Sequence, residues 1–167
     1  MKSRTIIAML AVFLLTVGCD QGSKALARSY LAGRNDVSLL GGVLVLRYVE
    51  NQGAFLSLGA WLPRPVRRAV FIAFPLIILA GVIFYVIRKK DLRGPFAAGL
   101  SFAAGGGAGY LLDRIIHDGG VGDFLNLGVG GVRTGIFNLA DMSIMLGCLL
   151  LLIDGVGVRE ARPRGPS

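Results

Sequence analysis

Apolar and polar positions along the chain fall into four long apolar runs separated by polar connections. Thr5 to Cys19 is the shortest run, and Ala69 to Ile87 is free of charge and bounded by Arg67, Arg68 and then Arg88, Lys89, Lys90. Phe96 to Leu112 is rich in Gly and Ala, and Ile136 to Ile153 is interrupted by Asn138 and Asp141. A helix that crosses a bilayer needs about 20 predominantly apolar residues, within a range of roughly 17 to 25. The last three runs meet that length; the first does so only if its helix continues past Asp20. Asp20 and Lys24 stand at i and i+4 on one helix face, where they can pair and ease the cost of polar groups near lipid. Ala25, Leu26 and Ala27 are good helix formers, so the first helix is predicted to run on into the outer interface. The pattern predicts an all-α polytopic membrane protein with four transmembrane helices.

The connections add detail. In the first outer loop "VSLLGG" and "VLVLRYVE" read as short strands with turn signals between them. "WLPRPVRR" reads as an interfacial approach to the second helix, with Trp61 at headgroup level. There is no internal repeat. Residues 1–158 are predicted to form a single membrane-embedded domain, and the Pro- and Arg-containing end, 159–167, a disordered cytoplasmic tail.

Composition supports the membrane reading. Of 167 residues, 54% are hydrophobic and only 17% charged, too apolar for an ordinary soluble domain. A net charge of +8 in a soluble protein would point to nucleic acid, but here the bases flank apolar runs, as membrane anchors do. Lys2 and Arg4, the loop from Arg88 to Arg93, and Arg159, Arg162 and Arg164 are compact and basic. The connections from Asp20 to Arg68 and from Asp113 to Arg133 spread their bases over many more residues. The positive-inside rule therefore places both termini in the cytoplasm, consistent with an even number of spans. The two cysteines, Cys19 and Cys148, lie in apolar runs and read as packed membrane residues, without disulfide or metal spacing.

Candidate chemistry is sparse outside the carboxylates. His117 is the one histidine, which excludes a histidine-rich metal site, and it reads as loop-exposed. The glycines of "AAGGGAGY" lack the Gly-Lys-Ser/Thr of a phosphate loop and read as a close-packing helix face. Asp20, Asp113, Asp123 and Asp141 all fall at predicted outer helix ends, where ionisable groups are paired or functional. Asp20 has Lys24 one turn away and Asp113 has Arg114 beside it. Asp123, in the loop "VGDFLNL", and Asp141, in "IFNLADMSIML", have no cation within four residues. Two carboxylates in a low-dielectric site share a proton, so that one can activate water while the other polarises a carbonyl. That chemistry needs neither metal nor cofactor, but spacing alone leaves open whether the two meet.

Four blocks in order carry a family resemblance. "DQGSK", "ENQGAFLSLG", "GGGAGYLLDRIIHDGGVGDFLNL" and "IFNLADMSIMLG" resemble, from Asp20 to about Gly147, the motifs of lipoprotein signal peptidase, also called signal peptidase II. The resemblance implies that Asp123 and Asp141 are catalytic aspartates. It implies that Asp20, Lys24, Asn51, Gly53, Tyr110, Asp113, Arg114, Asn138 and Ala140 line or support the site. It also implies a small extracytoplasmic β-cradle and an interfacial helix, and a pocket near the outer face of the bacterial inner membrane; a monomer would suffice, because both aspartates are in one chain. The implied substrate is a diacylglyceryl-modified prolipoprotein, met within membrane lipid and cut just before its modified cysteine. No cofactor, metal or nucleic acid is implied. The sequence departs from the family pattern at Tyr110, where Asn is usual, at Phe55 and Leu56 after Gly53 and Ala54, and at Gly122, where a branched apolar residue often precedes the aspartate.

Other readings explain less. "TVGCDQGSK" resembles a lipobox, but a lipoprotein would continue as a soluble domain, and three more apolar runs follow. A proton- or ion-coupled transporter would explain Asp141 but not the gathering of polar residues at outer helix ends. A catalytically weak paralogue, and a lipid-metabolising enzyme or serine-lysine hydrolase using Ser23 or Ser57 with Lys24, are the remaining alternatives.

Overall fold

The computed structural model describes residues 3–53, 58–89, 91, 92 and 94–160, with backbone alone for 157–160. The element order is α1 (Ser3–Leu31), β1 (Val37–Leu39), β2 (Leu44–Asn51), α2 (Arg64–Arg68), α3 (Phe74–Arg88), α4 (Gly94–Ile116), β3 (Val121–Val129), β4 (Val132–Arg133) and α5 (Leu139–Glu160). Among the described residues, Ser3–Leu31, Arg64–Arg88 and Leu139–Val156 are long and apolar enough to cross a membrane. The fourth long helix, α4, packs against both α5 and α1.

The first helix continues past Cys19, as expected, for 29 residues. It stops where Gly33 takes a φ of +70°, a conformation that an L side chain resists. The second apolar helix begins earlier than its apolar run. Pro63 precedes α2, and a single wide turn, Ala69–Ala73, joins α2 to α3. Pro75 follows in the first turn of α3. A proline lacks the N–H that would bond the preceding turn and its ring crowds the carbonyl four residues back, so the wide turn accommodates it. The expected interfacial approach is thus continuous with the membrane helix.

Burial is inverted relative to a soluble protein. Leu15, Ile77 and Leu152 are each more than 65% exposed, whereas Asp20, Asp113, Arg114 and Asn138 are at most 1% exposed. Lipid is as apolar as leucine, so helix association here depends on close van der Waals contact and internal polar bonds. Glycines of α4 and α5 provide the contact. A Cβ on Gly106 would lie 2.6 Å from the Ala140 carbonyl oxygen, and one on Gly147 would lie 2.6 Å from the Ala103 nitrogen.

A four-stranded antiparallel sheet, in the order β1-β2-β3-β4, sits at the end of the bundle formed by the C-terminus of α1, the C-terminus of α4 and the N-terminus of α5. The two strands expected in the first outer loop are β1 and β2, and the chain after α4 supplies two more. Asp123, read from sequence as a loop residue, lies on β3, paired opposite Val49. The signal for that strand was the alternation of Leu125, Leu127 and Val129, obscured by the glycines around it. A β-bulge between Leu46 and Val49 inserts an extra residue in β2. Tyr48 thereby comes against Gly122, whose absent Cβ would meet the Tyr48 ring at 3.1 Å. Gly122 thus makes room for a tyrosine supplied by the neighbouring strand.

Other expectations change at the edges. The third run extends to Gly94–Ile116, and α5 starts at Leu139 rather than Ile136 and reaches Glu160, into the predicted tail. Cys19 and Cys148 are free and exposed rather than packed. Ala54, Phe55, Leu56 and Ser57 lie outside the described residues, as does the chain beyond Glu160.

Candidate active site

Asn138 immediately precedes α5 and begins the site. Its side-chain oxygen accepts the Asp141 N–H at 3.1 Å, while the Asp141 carboxylate (Oδ2) accepts the Asn138 N–H at 3.0 Å. This reciprocal cap satisfies two N–H groups at the helix start and fixes Asp141 in its first turn. The same Asn138 donates its amide Nδ2 to Asp123 Oδ1 at 2.6 Å. The other oxygen of Asp123 accepts from Asn51 Nδ2 at 3.0 Å, and Asn51 is itself oriented by Gly53 N–H donating to its Oδ1 at 2.9 Å. One residue, Asn138, therefore holds both aspartates.

Asp123, Asp141, Asn51, Gly53, Tyr110, Arg114 and Asn138 line one small cavity of about 30 Å³ with Val121 and Ile136. The two carboxylates, far apart in the chain's local patterns, thus line one cavity. Burial pushes the Asp123 carboxyl up to about 6, with the charge of Asp141 adding to the effect. The Asn51 and Asn138 amides and the Lys24 charge pull it back. A carboxyl so placed keeps or gives up a proton near neutral pH, as general acid–base work requires.

Asp20, Lys24 and Asp113 form a separate group behind that cavity. Lys24 Nζ lies 2.7 Å from Asp20 Oδ2 and 2.7 Å from Asp113 Oδ2, all three being nearly inaccessible. Asp20 Oδ1 accepts the Ala140 N–H at 2.9 Å, so a carboxylate of α1 caps the start of α5. The approach of Asp20 depends on Gly109, where a Cβ would stand 2.5 Å from its carboxylate oxygen. Gln21, not singled out from sequence although it lies within "DQGSK", donates Nε2 to Asp20, to Asp113 Oδ1 at 3.0 Å and to the Gly109 carbonyl. Lys24 and Asp113 border a larger cavity of about 370 Å³, on the side of Tyr48 and His117.

The adjacent Asp113 and Arg114 do not pair with each other, because successive helix side chains point about 100° apart. Arg114 instead donates to the carbonyls of Gly119 and Gly53 and, at 2.6 Å, to the Tyr110 hydroxyl. Its guanidinium lies over the rings of Tyr110 and Phe71, 4.6 and 5.0 Å from their centroids. His117 is not a bare loop residue: its Nε2 lies 2.6 Å from Arg28 Nη1, and Arg28 also binds Tyr48 and Glu50. Arg64 and Arg68 of α2 both pair with Asp118 in the turn after α4. Ser23 donates to the Asp20 carbonyl and Lys24 is held by carboxylates, so no serine–lysine pair forms between them.

Comparison with known proteins then gives concordant results. A model described as "Signal peptidase (SPase) II" matches residues 12–156. The chain is 40% identical over 155 residues to a lipoprotein signal peptidase of Syntrophomonas wolfei, covering 90% of this chain and 95% of that one. It is 34% identical to that of Treponema pallidum, covering 92% and 85%, and 30% identical to that of Borrelia hermsii, covering 91% of each. A bacterial membrane enzyme structure obtained by the in meso method superposes with a TM-score of 0.82 at 21% identity, covering 97% and 96% of the two chains. A second gives 0.78 at 22% identity, covering 90% and 94%.

Proposed function

The chain belongs to the signal peptidase II family, and from that premise we propose that it removes the signal peptide from diacylglyceryl-modified prolipoproteins as an aspartic endopeptidase, with Asp123 and Asp141 as its catalytic pair. The observation that carries the reading is the double grip of Asn138, which donates its side-chain amide to one carboxylate and its backbone N–H to the other.

The chemistry follows from one shared proton. A water held between the carboxylates loses a proton to the ionised one as its oxygen bonds to the scissile carbonyl carbon. The carbonyl oxygen takes up the displaced electron pair and receives the proton of the other carboxyl. The resulting diol collapses: the carboxyl that took the water proton gives it to the amide nitrogen, the C–N bond breaks with its electron pair staying on that nitrogen, and the carbonyl re-forms as one diol hydroxyl returns its proton to the other carboxylate. Asn51 and Asn138 hold Asp123 in place, and Asn138 holds Asp141 through the cap. Asp20, Lys24 and Asp113 set the position of α1 and α4 against the start of α5.

The site lies near the extracytoplasmic face of the inner membrane, with four spans and both termini in the cytoplasm. In support, the site uses the C-terminal ends of α1 and α4 and the N-terminal end of α5, whereas Arg4, Lys89 and Gly94 line cavities at the opposite end. Helix α4, 23 residues long, is the fourth span. One chain suffices for the pair, so the active unit is a monomer embedded in lipid.

The purified protein, in detergent, is to be incubated with a diacylglyceryl-modified prolipoprotein and with its unlipidated form, and the product masses followed. Cleavage immediately before the modified cysteine is expected from the wild type and is lost in Asp123→Asn and in Asp141→Asn. Turnover by either variant would rule out the dyad.

A further inference from the structure

Tyr110 stands where the family pattern has a compact amide, in the lining of the cavity that holds Asp123 and Asp141. Its hydroxyl oxygen accepts a hydrogen bond from Arg114 Nη2 at 2.6 Å. A phenol has one proton to donate, and among the described residues that of Tyr110 makes no hydrogen bond. Arg114 cannot swing away to release it. The guanidinium is 1% exposed, bonded to the Gly53 and Gly119 carbonyls, and stacked between the Tyr110 and Phe71 rings. The hydroxyl is thus held by a cation on its acceptor side, which polarises the O–H and strengthens it as a donor. The two other side chains known to donate in the cavity, Asn51 and Asn138, give hydrogen bonds to Asp123.

We propose that Tyr110 is a further catalytic residue, whose hydroxyl donates a hydrogen bond to the scissile carbonyl oxygen as negative charge gathers there. The proton stays on the phenol, so the step adds electrostatic stabilisation without altering the proton balance between the aspartates. A fixed donor in a water-poor site is effective because it needs no reorganisation as the charge forms. The inference rests on the peptidase reading above, and its test separates the two.

Cleavage of a diacylglyceryl-modified prolipoprotein is measured for wild type, Tyr110→Phe, Tyr110→Asn and Asp123→Asn. Tyr110→Phe keeps the ring over Arg114 and removes only the hydroxyl. Loss of one such donor lowers kcat by about 100-fold or more, with KM unchanged, and the same variant weakens binding of a substrate-like peptide carrying a hydroxyl in place of the scissile carbonyl. Tyr110→Asn, which restores a donor, regains part of the rate. An active wild type with Tyr110→Phe equally fast, or slowed only through KM, overturns the role of Tyr110 and leaves the dyad standing. If Tyr110→Phe does not fold, Tyr110→Leu, which also lacks a donor, carries the test: a folded Leu variant at the wild-type rate with wild-type affinity for the hydroxyl peptide overturns the tyrosine's role. An inactive, well-folded wild type overturns the peptidase reading and this inference with it.

Discussion

At the scale of the residue, the chemistry is set by what Asp123 gives up to be buried. Its carboxyl is raised from 3.8 to about 6, so between those values the folded chain holds a proton that the unfolded chain releases. For a group raised on folding, the contribution to stability is full below about pH 4 and is lost as pH rises through about 6. Asp123→Asn removes that dependence. The variant is therefore expected to melt higher than wild type at pH 8 and close to it at pH 4, in thermal unfolding followed in detergent. The amides of Asn51 and Asn138 favour the ionised form. Asn51→Ala is accordingly expected to move the alkaline limb of kcat/KM to higher pH, and a downward move would show that its amide acts otherwise. Tyr110 and Gly122 were legible as departures from a pattern, but their consequences were not. Gly122 makes sense only beside Tyr48, which a bulge in another strand brings to it.

At the scale of the element, the apolar runs and the i, i+4 pair of Asp20 and Lys24 sufficed to place the four long helices and to carry the first past Cys19. Strand β3 was hidden, because glycines at positions 122 and 128 interrupt its alternation and it gains its stability from pairing with β2. The second partner of Lys24 was hidden for the same reason: Asp113 is brought to it by helix packing, not by sequence distance. The glycines of α4 can be told apart now. Gly109→Ala would drive a methyl into the Asp20 carboxylate and is expected to destabilise by about 1–3 kcal/mol and to lower activity. Gly107, with nothing within 4 Å, is the control, and its Ala variant should be neutral or up to about 1 kcal/mol more stable. Removing one member of the buried triad, as in Lys24→Met, leaves carboxylates without their cation at a cost of about 3–5 kcal/mol. Equal melting of wild type and Lys24→Met would show the pair to be dispensable.

At the scale of the whole molecule, lipid replaces water as the solvent for most of the surface, which composition and charge clustering announced. Trp61 is the single tryptophan and is 73% exposed, beside the helix that leads into α3. Its fluorescence should be quenched in vesicles of lipids brominated high on the acyl chain more than in those brominated near the chain end; the reverse order would put the residue deep in the bilayer. The relation of the site to the bundle was less legible, because it depends on three helix ends meeting at one level.

The double grip of Asn138 also has a consequence in time. Asp123 is synthesised before α5, but its partner Asp141, the Asn138 amide that steadies it and the Ala140 N–H that engages Asp20 all arrive with that last helix. A nascent chain that has threaded only its first three long helices carries one of the two proposed catalytic aspartates and no Asn138 clamp. Under the proposed dyad, proteolytic competence is switched on by the final insertion event, and an interrupted translation product is expected to be inert.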